Sequence, residues 1–235
     1  MISAAVARTI CFNSSHYNPP PMSLGYIGAL RLLHHTFRNH PAGHRIHILG
    51  RFLTAPFMRT LDVIPQGSRV LDIGAGHGTY PRLIAEERAS EVIAVEPDLR
   101  KTLIAFKHPR VKFVAGYDDC IRGTFDVIVV YDVIYRLPPS ERDSLFKRIY
   151  DRVRPGGTFV LKDLDPSRRV KWWWNRSQEK MMDRFFGLTI GEGFFIDTIE
   201  QISDRMTRVG FTGFQWKRVD FGYPHAHIVY TARRA

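Results

Sequence analysis

Three glycines in five positions, Gly74, Gly76 and Gly78, follow the apolar run Val70-Leu71-Asp72-Ile73. A second apolar run, Val92 to Val95, closes on an acid, Glu96. Glycines at a strand-to-helix turn let bare backbone approach a ligand, and an acid at the tip of the next strand can accept hydrogen bonds from both hydroxyls of a ribose. The chemistry served is the holding of an adenosine-containing cofactor. A dinucleotide loop needs a third glycine where Thr79 stands, so that the helix packs closely and a pyrophosphate meets its N-terminus. Asp72, two residues before Gly74, instead suits a cationic amine and repels phosphate.

The stretch Asp72-Ile73-Gly74-Ala75-Gly76-His77-Gly78 resembles the first motif of the class I S-adenosylmethionine-dependent methyltransferases, an acid, any residue, then Gly-x-Gly-x-Gly. The resemblance implies that Asp72 and the loop of Gly74, Gly76 and Gly78 hold the methionine part of S-adenosylmethionine, Glu96 its ribose, and Pro97 one side of the adenine. It also implies an acid after the third strand at the adenine amino group. The family's Gly-Asp is here Gly116-Tyr117-Asp118-Asp119, so either Asp118 or Asp119 fits. Phe125-Asp126 through Tyr131-Asp132-Val133-Ile134-Tyr135 resembles the family's fourth-strand motif, whose last residues, Tyr131 among them, touch cofactor and acceptor.

Methyl transfer requires an acceptor lone pair aligned behind the sulfonium methyl, so positioning and desolvation supply most of the acceleration. An amine acceptor must be unprotonated, and a hydroxyl gains from a base within hydrogen-bond reach. Tyr131, Tyr135, His77 and Asp163 are the candidates for that proton; for His77 the competing reading is a polar turn residue. Asp126 reads as a structural acid. His225 and His227 share a strand face, which suits a metal pair or two solvated edge histidines. Asp132, Asp163 and Asp165 follow the fourth and fifth strands, where some of the family bind a divalent cation; no third ligand accompanies them, and no metal is expected.

From Ser68 the pattern alternates strand and helix, the mark of a parallel sheet covered on both faces. Strands are expected at Val70–Ile73, Val92–Val95, Val111–Val114, Phe125–Val130 and, after a Pro155-Gly156-Gly157 turn, Thr158–Lys162. Ser140 to Asp143 and Thr198 to Gln201 read as capping boxes opening two helices. Gly222-Tyr223-Pro224-His225 is too short for a parallel crossover, so Phe214–Phe221 and Ala226–Ala232 must form an antiparallel hairpin. The expected fold is an α/β, Rossmann-like, doubly wound and mostly parallel seven-stranded sheet ending in that hairpin. Residues 1–21 read as a disordered or extended arm, 22–67 as capping helices (Leu24 to Phe37 and Arg45 to Val63, interrupted at Pro56), and 68–235 as the methyltransferase domain with an insertion at 164–197.

The net charge of +11 is unevenly placed: no acid precedes Asp62, while six arginines and six of the ten histidines do. Such an end carries a positive field toward anionic lipid, an acidic substrate or RNA. The insertion adds Trp172-Trp173-Trp174, Met181, Met182, Phe185 and Phe186 interleaved with Arg168, Arg169, Lys171, Arg176, Lys180 and Arg184. Indoles beside cations suit a headgroup interface, and they also stack bases. The fourth strand lacks the Asn/Asp-Pro-Pro-aromatic signature of base-amino methyltransferases, and Cys120 lacks the Pro-Cys pairing of cytosine-carbon enzymes. The expected partner is therefore a small-molecule or lipid-like acceptor, with an anionic membrane surface as a second partner; RNA methylation and a noncatalytic cofactor-binding module are the alternatives. Two cysteines make no disulfide framework, no run of about 18 apolar residues exists to span a bilayer, and the start does not read as a signal peptide, so the expected location is the cytoplasm, with a peripheral membrane association.

Overall fold

The computed structural model describes residues 24–167 and 195–235. The arm at 1–21 and most of the insertion, including its tryptophans, lie outside the described residues. Three helices lead: α1 (Tyr26–Thr36), α2 (Ala42–Thr54) and the single turn α3 (Phe57–Thr60). The core follows as β1 (Ser68–Ile73), α4 (Thr79–Glu87), β2 (Ala89–Glu96), α5 (Leu99–Leu103), β3 (Val111–Ala115), β4 (Phe125–Tyr131), α6 (Pro139–Arg152), β5 (Val153–Leu164), α7 (Ile199–Arg208), β6 (Phe211–Arg218) and β7 (His227–Arg234).

These strands form one seven-stranded sheet in the order β3-β2-β1-β4-β5-β7-β6. The first five are parallel; β7 runs antiparallel between β5 and β6. The fold expected from the alternating pattern is the one observed. Valines and isoleucines run through β1 and β4 without alternation because helices bury both sheet faces. One face packs Phe37, Phe52, Phe57, Tyr80 and Leu83 from the leading helices and α4. The other packs Leu145, Phe146, Ile149, Ile202 and Met206 from α6 and α7.

Several local expectations change. Helix α6 starts on Pro139 with Pro138 as its N-cap and no side-chain cap bond, so Ser140 lies inside the first turn. Proline supplies the fixed φ there and has no N–H to satisfy. The capping box of α7 forms in full: Thr198 Oγ1 accepts from the Gln201 N–H at 3.3 Å, and Gln201 Oε1 accepts from the Thr198 N–H at 2.8 Å. Pro155 to Gly157 does not break the chain before β5 but forms an irregularity within it, where the register against β4 shifts. β6 begins three residues before the sequence suggests, at Phe211, whose ring is buried against Tyr150 and Phe159.

Candidate cofactor and acceptor site

In a parallel sheet the crevice lies beyond the carboxyl ends of the strands, where strand order reverses. Here that point is between β1 and β4. Ile73 is level with Val95 on β2 and Val130 on β4, so the residues after those strands meet at one height. The loop after β1 hangs from β2, with the N–H groups of Gly74 and Ala75 both donating to the Val95 carbonyl at 2.8 and 2.9 Å. Gly74, Gly76 and Gly78 all hold positive φ, and their surroundings differ. A Cβ on Gly74 would strike the Val133 side chain, and one on Gly78 would lie 2.5 Å from Phe113 and 2.7 Å from Phe106. At Gly76 it would face open space. The first and third glycines seat the loop; the second presents its bare backbone to the crevice.

Asp72 is 1% exposed, and its Oδ1 has no hydrogen-bond partner. Burial, and after it the nearby Glu96 carboxylate, pushes its pKa up to about 8. A carboxyl so placed lacks a cation, which an ammonium group would supply. Glu96 closes the other side: Oε2 accepts from the Gly76 N–H at 2.8 Å, Oε1 from the Asp98 N–H at 3.1 Å, and Lys101 lies 3.7 Å away. The acid on β2 thus fixes the glycine loop and stands at the crevice edge, with Pro97 following it.

The structure divides the two acids after β3. Asp118 is buried and accepts from Arg148 at 2.7 Å and Arg152 at 3.1 Å, fastening the loop to α6. That ion pair accounts for its burial and occupies its carboxylate. Asp119 is exposed.

The tip of β4 meets the leading helices. Asp132, with φ of 59°, is the one described non-glycine residue in left-handed conformation. It pairs with the buried Lys162 of β5 and, at 2.6 Å, with Arg51 of α2. Burial raises its pKa, yet Lys162 and then Arg51 outweigh that and hold it well below the carboxylate range. Tyr131 stacks on Phe57 at 4.7 Å and tilts on Tyr80 at 4.8 Å, and burial drives its pKa well above 10. Tyr135 is buried in the turn that follows. Asp163 accepts from the Leu164 N–H at 2.8 Å; burial, then the charge of Asp132, pushes its pKa up to about 7.

His77 lies in the turn after β1, as one of its two readings had it, and is buried there. Its ring centroid lies 5.3 Å from His44 and 5.3 Å from His47 of α2, and burial, then His47 and Lys101, holds its pKa down at about 3. Burial, then Arg51 and Lys101, holds His47 at about 4. His44, His47 and Arg51 follow helical spacing along one side of α2, while Ile48 and Phe52 are buried in the core. Helix α2 therefore spans the crevice from the glycine loop to the β4 tip. The sequence reading missed this face; its signal is imidazoles and a guanidinium at i, i+3 and i+7 in an acid-free segment.

No group of three or more histidine, cysteine or carboxylate side chains among the described residues is placed to hold a metal. Asp165 is committed to Arg218 at 2.7 Å and to Ser167. His227 is no edge histidine: β7 is an interior strand, the ring is 2% exposed, and Nε2 lies 2.8 Å from the Thr54 carbonyl at the end of α2. Asp126 accepts from the Arg69 N–H at 2.6 Å, a structural acid as expected.

A family model described as a methyltransferase domain matches residues 44–215, from the histidine face of α2 into β6. The chain belongs to this family. Within it, the chain is 26% identical over 161 residues to phosphoethanolamine N-methyltransferase 2 of Caenorhabditis elegans, covering 63% of this chain and 33% of that one. It is 26% identical over 136 residues to 2-methyl-6-phytyl-1,4-hydroquinone methyltransferase of Synechocystis sp., covering 53% of this chain and 42% of that one. The chain thus spans less than half the length of these two relatives. Among solved structures, human N-acetylserotonin methyltransferase in complex with SAM superposes with a TM-score of 0.62 at 15% identity, over 90% of this chain and 57% of the other. At that identity the likeness concerns the fold.

Proposed function

We propose that the protein transfers a methyl group from S-adenosylmethionine to a small-molecule or lipid-like acceptor, in the cytoplasm and in part while resting on an anionic membrane surface. The observation that carries the reading is the buried carboxyl of Asp72, whose Oδ1 has no hydrogen-bond partner, beside a glycine loop whose middle glycine faces open space. The residues fit the cofactor: Asp72 supplies the counter-charge for an amino-acid ammonium, Gly76 the bare backbone, and Glu96 an acceptor for ribose hydroxyls. Pro97 and the exposed Asp119 are the residues proposed for the adenine; Asp118 is held by its arginines. When bound, S-adenosylmethionine supplies a methyl group on a positively charged sulfur.

The chain's own residues then set the acceptor. Helix α2 excludes water from the crevice, which strengthens every polar contact inside. The acceptor's lone pair takes the methyl, and the proton it sheds passes to a base whose pKa lies near the working pH. Asp163, pushed up to about 7, is the group best suited. His77, walled by His44 and His47 and held down at about 3, is neutral but a weak proton acceptor, and Tyr131 and Tyr135 are buried phenols that orient rather than accept. A small or amphiphilic acceptor is supported by the names of the relatives, phosphoethanolamine and a phytyl hydroquinone among them. The membrane part rests on the acid-free basic leading segment and on the Trp172–Trp174 insertion; no helix among the described residues is long and apolar enough to cross a bilayer.

Calorimetric titration with S-adenosylmethionine and its demethylated product tests the cofactor. Incubating the protein with a methyl-labelled donor and a panel of amines, phenols, lipids and RNA tests the acceptor. Binding of a nicotinamide compound in place of the sulfonium nucleoside would defeat the reading, and label in RNA alone would replace the acceptor class.

A further inference from the structure

A second concavity lies outside the crevice. Where α1 ends, the chain turns through Phe37 to His40 and packs against α4 and the loop before β3, leaving a cleft of about 370 Å³. Arg38, Arg82 and Lys107 line it with His35, His40 and His108, and no carboxylate does. Arg38 and Lys107 are exposed, and neither has an ion-pair partner among the described residues. Arg82 is held in place from behind, its Nε donating to Thr36 Oγ1 at 3.2 Å and its Nη1 pairing with Glu86 at 2.6 Å, which offsets part of its charge.

The imidazoles add donors. His108 Nδ1 accepts from the Arg110 N–H at 3.2 Å, so its neutral ring carries the proton on Nε2. His35 Nε2 takes the Arg38 guanidinium N–H at 3.1 Å, which leaves the proton on Nδ1. The carbonyl end of α1, which repels anions, is partly shielded here: the Leu33 and Phe37 carbonyls already accept from the N–H groups of Phe37 and His40, at 3.0 Å each.

We propose that this cleft is a binding site for a phosphate group, free or carried on a small metabolite or a lipid headgroup. Two cations without ion-pair partners and a third held by a hydroxyl, lining one cleft together with imidazoles, match a tetrahedral dianion. The volume admits the group with a modest substituent. One wall is Phe106, whose ring also packs edge-on against Phe113 and closes on Gly78. A ligand here therefore leans on the side chain that supports the cofactor loop. The assignment is independent of the methyl-transfer reading.

Calorimetry of the full chain with inorganic phosphate and with glycerol phosphate, and sedimentation with phosphatidylcholine vesicles with and without phosphatidic acid, test it. Replacing Arg38 and Lys107 together by alanine, both exposed, should weaken binding roughly tenfold for each cation removed. The control R208A with K217A removes equal charge from α7 and β6 and should leave binding within about twofold, since charges beyond about 10 Å are screened at 0.1 M salt. Binding of the soluble phosphates supports a metabolite site, and binding of phosphatidic acid vesicles alone supports a headgroup site. No binding in any arm, or equal losses in the two variants, overturns the proposal, because the second result would reflect only overall positive charge.

Discussion

The guanidinium of Arg51 on α2 lies 2.6 Å from the carboxylate of Asp132, and the two residues are 81 apart in sequence. That one pair joins the helices ahead of the sheet to the tip of β4, and Asp132 takes left-handed backbone to make it. Arg51→Met leaves Asp132 with Lys162 and removes one tie of α2 to the β4 tip, while Ile48, Phe52 and the His227–Thr54 contact still hold the helix. The side chain of Arg51 keeps 38% exposure, so the loss falls between surface and buried pairs, about 1–3 kcal/mol. Urea denaturation should show it, and KM for the methyl donor should rise more than kcat falls.

Asp72→Asn separates function from stability. The folded pKa of about 8 stands above the ordinary carboxylate value, so folding favours the neutral form. Stability is then full below the unfolded pKa and declines as pH rises toward 8. The amide avoids that decline. Without ligand, the variant should melt higher than the parent at pH 8 and level with it at pH 4, while calorimetry shows donor affinity lost.

Two of the loop glycines, Gly78 and Gly76, should fail differently. Gly78→Ala drives a Cβ into Phe106 and Phe113 and should cost about 1–3 kcal/mol by overpacking. Gly76→Ala meets no neighbour, so only its positive φ is strained, at about 1 kcal/mol. Donor affinity in calorimetry, however, should drop more for Gly76→Ala than its small change in melting temperature accounts for.

His47 and His77 predict the acid limb of stability. Their folded pKa values, about 4 and about 3, lie below the free imidazole value, so the unfolded chain binds more protons between pH 6.5 and 4. Stability is present above pH 6.5 and falls as pH drops through that window. Melting curves across it should flatten in the His47→Gln and His77→Gln double variant; an unchanged slope would place the acid-sensitive groups elsewhere.

The placement of the glycine loop, Asp72 and Glu96 was legible because it is set by neighbours in sequence: a strand, a turn and the start of a helix. The sheet and its terminal hairpin were legible from spacing and from the length of the link between β6 and β7. What was hidden depends on partners far along the chain. Nothing near Asp118 announces Arg148 and Arg152, and nothing near His227 announces the carbonyl of Thr54. Ser140 carried a local capping pattern that Pro138 and Pro139 overrode, since a proline at the first turn competes for the same start. Likewise the histidine face of α2 has no motif, only a periodicity that acquires meaning once the glycine loop lies beneath it.

Strand β7 follows β6 in sequence, yet it occupies an inner place in the sheet between β5 and β6. Closure of the sheet must therefore wait until β7 has left the ribosome. Until then β5 has an open flank, the kind of bare edge that invites pairing with another molecule. Because His227 on that same strand lies 2.8 Å from the Thr54 carbonyl at the end of α2, that tie between the sheet and the leading helices forms only once β7 has taken its inner place.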